Sequence, residues 1–194
     1  KEDIRNFTKL NIKNIDIIIH LANVANDPTV ELNPTLSWEI NVLCSKIIAD
    51  HAIKNKVKRI VFCSSMARYG SLNPPFNEID KPNPIDPYGI SKLSAEKILI
   101  NLCETNNVEY NIAVPHNIIG PKQKYDDPFR NVVSIMTNLM LQKRNPIIYG
   151  DGEQKRSFSD IDDCIYCIDK LMFNRKINKE VVNIGPDENF ITIN

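Results

Sequence analysis

The stretch Arg59-Ile60-Val61-Phe62-Cys63-Ser64-Ser65 decides the fold class of this chain. Its middle is short, apolar and rich in β-branched residues, a pattern typical of a strand buried on both faces of a parallel sheet. Similar runs predict strands at residues 17–22, 108–114 and 181–184. Helices are predicted between them. Strands that alternate with helices indicate βαβ units, so we expect an α/β fold with a doubly wound parallel sheet.

The helix predictions rest on local start signals and on the spacing of apolar residues. Asn33-Pro34 and Asp86-Pro87 each place a capping side chain before a first-turn proline. Leu36, Ile40, Leu43 and Ile47 then share one helical face. Further helices are predicted at residues 129–143 and 161–173.

Composition limits the kind of protein. The chain has 194 residues, enough for one core, and 24 basic residues balance 24 acidic ones. Zero net charge argues against nucleic acid or an acidic membrane as the main partner. The longest apolar runs fall short of the roughly 20 residues that a membrane span requires. Five cysteines form an odd set without framework spacing, which favours reduced thiols and a cytoplasmic protein.

Ligands of parallel sheets bind beyond the carboxyl ends of the strands, so residues 21–25, 64–66 and 115–117 are the first candidates. Tyr88 and Lys92 lie four residues apart at the start of a predicted helix and therefore on one face. An ammonium near a phenol lowers the phenol pKa from about 10, which makes tyrosine a usable general base. Tyr-x-x-x-Lys also occurs by chance on solvated helices. Ser65, at a strand end, has a hydroxyl that could face the same pocket.

Six segments, taken together and in order, resemble the extended short-chain dehydrogenase/reductases, in particular the nucleotide-sugar epimerases of the NAD-dependent epimerase/dehydratase family. They are His20-Leu21-Ala22-Asn23, Asn41-Val42, residues 61–70 around Ser65, residues 86–92 around Tyr88, residues 115–121 around Asn117, and residues 148–158 with Gly150-Asp151-Gly152 and Arg156-Ser157-Phe158.

The resemblance implies a Rossmann-like fold, NAD as cofactor and a nucleotide-sugar substrate, expected to be UDP-linked. Its implied catalytic group is Ser65, Tyr88 and Lys92, with Tyr88 as base. The implied NAD contacts are these three residues with Asp3, Ile4, Leu21, Ala22, Asn23, Val24, Ala25, Asn41 and His116. The implied substrate contacts are Ser65, Tyr88, Asn117, Asn131, Val132, Tyr149 and Arg156, with Arg156 on the diphosphate. A homodimer through helices 36–53 and 88–106 is also implied, and no metal.

The expected reaction is epimerisation at C4 of the sugar through a transient 4-keto form. A dehydratase, a decarboxylase or a 4-keto reductase of the same family stays open, and so does a non-catalytic truncated chain. The glycine-rich phosphate turn of the family is absent. We therefore expect a chain that lacks the first two strand-helix units and a C-terminal segment and is inactive alone. Residues 1–120 would be part of the NAD-binding domain, and residues 121–194 part of the substrate-binding region, interleaved with the last elements of the Rossmann-like domain.

Three further patterns have simpler explanations than a site. Cys164 and Cys167 have the spacing of a metal or redox pair, but an apolar helical pattern surrounds them and favours core packing. Asp160, Asp162 and Asp163 are typical of a helix N-terminus. Residues 150–152 predict a turn between short strands at 147–149 and 156–158.

Overall fold

A computed structural model describes residues 3–6, 11–25, 27–72, 74–127, 131–148, 150–186 and 190–194. Its main sheet is parallel throughout. The strand order is β1 (Ile17–His20), β2 (Arg59–Cys63), β3 (Glu109–Pro115) and β6 (Glu180–Ile184). A second parallel pair joins β4 (Ile118–Ile119) to β5 (Ser159–Asp160).

The helices of the described residues separate these strands. They are α1 (Asp27–Leu32), α2 (Pro34–Ser37), α3 (Cys44–Lys54), α4 (Pro87–Thr105), α5 (Val132–Leu141) and α6 (Ile161–Phe173). A π-helical turn (Trp38–Leu43) joins α2 to α3, and a 3₁₀ turn (Met66–Tyr69) follows β2. In this part of the chain, no helix combines the length and apolar character needed to cross a membrane.

The central strands β2 and β3 are buried on both faces, and helices pack on either side of them, which confirms the α/β prediction. Ile60 and Phe62 of β2 pack into the cluster formed with α3 and α4, whereas Val61 between them packs against α6. Cys164 is 1% exposed in the second cluster, as core packing predicts. Alternate residues of one strand therefore serve two cores, and the carboxyl end of β2 emerges between them.

The predicted N-caps are present. Asn33 Oδ1 accepts from the Leu36 amide at 3.0 Å, and Asp86 Oδ1 accepts from the Gly89 amide at 2.7 Å. Asp160 Oδ1 accepts from the Asp162 amide at 2.8 Å, which explains the acidic run as the start of α6.

The prediction of two short strands at residues 147–149 and 156–158, joined by a turn, is wrong about the pairing. Arg156 forms an antiparallel bridge with Ile191, and residues 147–148 are not in a strand. Gly150 and Gly152 have φ of 74° and 77°, so the turn itself is confirmed. Other differences concern bounds: the first strand ends at His20, and the helix predicted from residue 129 begins at Val132, residues 128–130 lying outside the described part.

Arg59 fixes the end of the sheet at which the parallel strands begin. Its guanidinium donates to Glu109 at 2.9 Å and to the carbonyl oxygens of Leu171, Met172 and Asn174, all at 3.0 Å. These bonds satisfy carbonyls at the end of α6 that have no partner within the helix. The carboxyl ends of the strands, where ligands of parallel sheets bind, lie at the opposite end of the sheet.

Candidate active site

Helix α4 carries the first part of the site. Lys92 is 1% exposed, its Nζ donates to the Cys63 carbonyl oxygen at 2.5 Å, and it lies 4.4 Å above the Phe62 ring. Tyr88, one turn earlier on the same helix, is half-buried. Since residues four apart share a helical face, the phenol and the ammonium belong to the face of α4 that packs on β2.

Burial gives Lys92 an altered acidity. Desolvation lowers its pKa to about 8, and Cys63 and Glu96 raise it in opposition. Burial and then the charge of Lys92 lower the pKa of His20 to about 4. The His20 Nε2 lies 2.8 Å from Ser45 Oγ. His20 is therefore a neutral, hydrogen-bonded structural residue at neutral pH.

Ser65 stands directly after β2, at the start of the 3₁₀ turn. Its Oγ accepts from the Ala67 amide at 3.2 Å, and its carbonyl oxygen accepts from the Arg68 amide at 3.0 Å. A hydroxyl that accepts one bond still has its own proton to donate. Ser65 can therefore donate to an oxygen placed beyond the end of β2.

Residues 21–25 form the wall loop, which follows β1 at the same edge. Asn41, 1% exposed, supports it: its Oδ1 accepts from the Val24 amide at 2.7 Å and its Nδ2 donates to the Val24 carbonyl at 3.0 Å. Asn23 Nδ2 donates to the Leu21 carbonyl at 2.9 Å. The Oδ1 of Asn23 is buried and has no hydrogen-bond partner in the described structure. Asn41 therefore fixes the backbone of the wall loop at Val24.

Asp3 and Ile4 lie in a short described segment near the chain start. The Asp3 carboxylate pairs with Arg5 at 2.7 Å, and the hydrogen bonds from Arg5 lower the Asp3 pKa to about 2. The carboxylate is exposed and permanently ionised at neutral pH, so it can still accept from an amino group.

The end of β3 provides polar groups opposite. His116 Nδ1 lies 2.7 Å from Ser157 Oγ, and Asn117 Nδ2 donates to the Ser157 carbonyl at 3.1 Å and lies 3.0 Å from His116 Nε2. Burial and then Arg156 lower the pKa of His116, so its ring is neutral at pH 7. A cavity opens here, and its lining includes Met66, Phe76, His116, Ser157 and Asn183.

None of the predicted substrate contacts that the structure describes lines this cavity: Ser65, Tyr88, Asn117, Asn131, Val132 and Arg156. Asn131 caps α5, where its Oδ1 accepts from the Val133 amide at 2.9 Å, and Val132 is the first helical residue. Arg156 is exposed, and its Nη1 donates to the Lys155 carbonyl at 2.9 Å. Tyr149 lies outside the described residues.

Sequence reasoning missed Glu96, Arg68 and Asn183. Glu96 continues the Tyr88-Lys92 spacing by one more turn, so this signal was present in the sequence. Asn183 bonds Tyr69 Oη at 2.9 Å and the Phe76 carbonyl at 3.2 Å, contacts between distant segments that no local pattern announces.

Comparison with known proteins identifies the family. The model of the NAD-dependent epimerase/dehydratase family matches residues 2–185. The chain belongs to this family. The resemblance, the Rossmann-like fold class and the dependence of the family on NAD are thereby confirmed.

Individual relatives differ in their reactions. The UDP-glucose 4-epimerase of Vibrio cholerae is 33% identical over 172 residues, covering 83% of this chain and 50% of the relative. A UDP-N-acetyl-alpha-D-glucosaminuronate decarboxylase of Bacillus cytotoxicus is 29% identical and covers 89% and 54%. The structure of UDP-glucuronic acid 4-epimerase from Bacillus cereus with UDP-glucuronic acid and NAD is 28% identical, with a TM-score of 0.89, and covers 99% of this chain and 60% of that one. The chain spans about half the length of the curated relatives it matches.

Proposed function

We propose that the full-length protein is an NAD-dependent epimerase that inverts C4 of a nucleotide-linked sugar. The observation that carries the proposal is the buried Lys92 ammonium, on the helix face of Tyr88. It donates to the carbonyl of Cys63, two residues before Ser65 at the carboxyl end of β2. A buried cation costs stability, and family membership supplies a reason for it: a cation that favours a phenolate.

Bound NAD would supply a reversible hydride acceptor for C4 of the sugar. Tyr88, as phenolate, removes the proton from the 4-hydroxyl, and Lys92 stabilises the phenolate beforehand. Ser65 donates to the same sugar oxygen. Once the 4-keto sugar has turned over, Tyr88 returns its proton to that oxygen, so the residue ends as it began.

The remaining contacts are also proposals. NAD would be held by Asp3 and Ile4 at the adenine, by the wall loop that Asn41 supports, and by His116. A UDP-linked sugar would contact the following residues: Asn117, Asn131, Val132, Tyr149 and Arg156. Arg156, a permanent fork-shaped cation, suits the diphosphate.

The residue after Ser65 argues against one alternative. A 4,6-dehydratase of this family is expected to carry an acidic pair there, and this chain has Met66-Ala67, with Met66 in the cavity lining. A decarboxylase or 4-keto reductase shares the Ser, Tyr and Lys group. Net formation or consumption of NADH during turnover would favour one of these over an epimerase.

We also propose a cytoplasmic homodimer. The five cysteines are free, as a reducing compartment requires, and apolar side chains such as Leu43 and Ile90 are 51% and 39% exposed near the helices that relatives are expected to pair. Size-exclusion chromatography tests the dimer, and a monomer would contradict it.

The direct test incubates the full-length protein with UDP-glucose, UDP-N-acetylglucosamine and their uronic acids and follows C4 by NMR. Tyr88→Phe should abolish turnover and leave NAD bound, because only the phenolic oxygen is removed. Substantial activity in that variant would refute the mechanism. Calorimetry with NAD on residues 1–194 and on the full-length protein is expected to show weak binding in the first case and firm binding in the second.

A further inference from the structure

Glu96 is a buried carboxylate, and burial of its charge lowers the stability of the folded protein. The side chain is 0% exposed, its Oε2 accepts from Ser64 Oγ at 3.0 Å, and its Oε1 lies 3.2 Å from Nη2 of Arg68, which is itself 3% exposed. Burial raises the pKa of Glu96, and Arg68 and Ser64 lower it in opposition. Arg68 Nε and Nη1 have no hydrogen-bond partner in the described structure. A pair of apolar side chains of similar volume would stabilise the core more than this ion pair does.

The two partners of Glu96 lie on either side of Ser65. Ser64 precedes it, and Arg68 belongs to the 3₁₀ turn that Ser65 caps. Glu96 stands two turns beyond Tyr88 and one turn beyond Lys92, on the same helix face. One carboxylate therefore joins the helix of Tyr88 and Lys92 to the segment that presents the Ser65 hydroxyl.

The first turn of α4 also makes a close contact with the 3₁₀ turn after β2. A Cβ added to Gly89 would lie 2.5 Å from the Ala67 carbonyl oxygen, so the first turn of α4 packs directly on the 3₁₀ turn. Close backbone packing at Gly89 and the ion pair at Glu96 therefore hold the segment that carries Ser65 against α4 at two points.

We propose that Glu96, through Ser64 and Arg68, is a positioning residue that sets Ser65 against Tyr88 for the hydride-transfer step. The proposal rests on the function proposed above. Misplacement of a reacting group by about 1 Å can cost about a hundredfold in rate, so loss of Glu96 acts on turnover and not on substrate affinity.

The experiment compares Glu96→Gln and the double variant Arg68→Met/Glu96→Met in the full-length protein. The apolar pair removes both buried charges together, so it keeps the fold where the single change leaves Arg68 unpaired. Turnover is measured with the four UDP-sugars named above, together with KM and the dissociation constant for NAD. Glu109→Gln is the matched control, since Glu109 is paired with Arg59 at the opposite edge of the sheet.

We expect kcat to fall by about tenfold to a hundredfold in both Glu96 variants, with KM and NAD affinity within about twofold of wild type. Glu109→Gln should retain wild-type kcat. A stably folded double variant with wild-type kcat would overturn the proposal, as would a loss confined to KM.

A crystal structure of the double variant supplies a readout that is independent of activity. The separation of Ser65 Oγ from Tyr88 Oη should change by more than about 0.5 Å, the tolerance of a productive site. An unchanged separation refutes the positioning role. Full activity in Tyr88→Phe would instead refute the proposed function, and the crystal comparison would still decide whether Glu96 positions Ser65.

Discussion

Replacing Lys92 by Met should stabilise the folded protein and abolish its activity. Burial lowers the lysine pKa from its ordinary 10.5 to about 8. At about 1.36 kcal/mol per pKa unit, the folded state at pH 7 carries a cost of about 3 kcal/mol for this charge. Methionine removes that cost but also the donor to the Cys63 carbonyl, a loss of about 1–3 kcal/mol. We therefore expect a net gain of up to about 2 kcal/mol at pH 7.

The gain must depend on pH in one direction. Between pH 8 and 10.5, the unfolded chain keeps the Lys92 proton and the folded chain releases it, so wild-type stability rises with pH over this interval. The methionine variant lacks that rise. Its advantage over wild type should be full below pH 8 and should shrink steadily towards pH 10.5.

Urea unfolding of the full-length proteins, followed by circular dichroism from pH 7 to pH 10, measures this difference. Lys170→Met is the control, because Lys170 also lies over an aromatic ring, 4.8 Å from Tyr166, but is exposed on α6. Its stability should differ little from wild type and without the pH trend. A Lys92→Met protein that is less stable than wild type at pH 7, or a difference that does not vary with pH, would refute the reasoning.

Two further predictions concern the supports of the site. Gly89→Ala should lower the free energy of unfolding by about 1–3 kcal/mol, because the new Cβ meets the Ala67 carbonyl oxygen. Thermal unfolding measures this loss. The gain in stability that alanine usually gives over glycine within a helix would contradict the prediction. Asn41→Ala should lower the free energy of unfolding by about 1–3 kcal/mol and weaken NAD binding, because it leaves the Val24 amide in the wall loop unpaired. Calorimetry compares its NAD affinity with that of the exposed control variant Asn101→Ala. An affinity equal to the control's would contradict the prediction.

Local chemistry explains which elements the sequence could predict. The strands at residues 59–63 and 181–184 follow from short β-branched runs, and the helices after Asn33 and Asp86 follow from side chains that cap their own first turn. Each of these signals is contained within a few neighbouring residues.

Contacts between distant segments explain the misses. The 3₁₀ turn after β2 is fixed by Asn83, whose amide donates to the Arg68 carbonyl at 3.0 Å, and by Tyr69, which bonds Asn183. Arg156 pairs with Ile191 because the last described segment, residues 190–194, runs back beside it. Neither partner could be inferred from spacing. The same holds for Ser157, whose hydroxyl matters only because β3 brings His116 against it.

The face of α4 that meets β2 shows why such contacts concentrate at the site. A helix face that packs on a buried strand is ordinarily apolar, yet Tyr88, Lys92 and Glu96 occupy three successive turns of it. Packing alone favours methionine or leucine at the last two positions, since both side chains lose their water and neither charge neutralises the other completely. Stability therefore does not account for them. The function proposed above would account for them, because in it the Tyr88 phenol ionises and needs a cation, and Ser65 stays beside it and needs a fixed anchor.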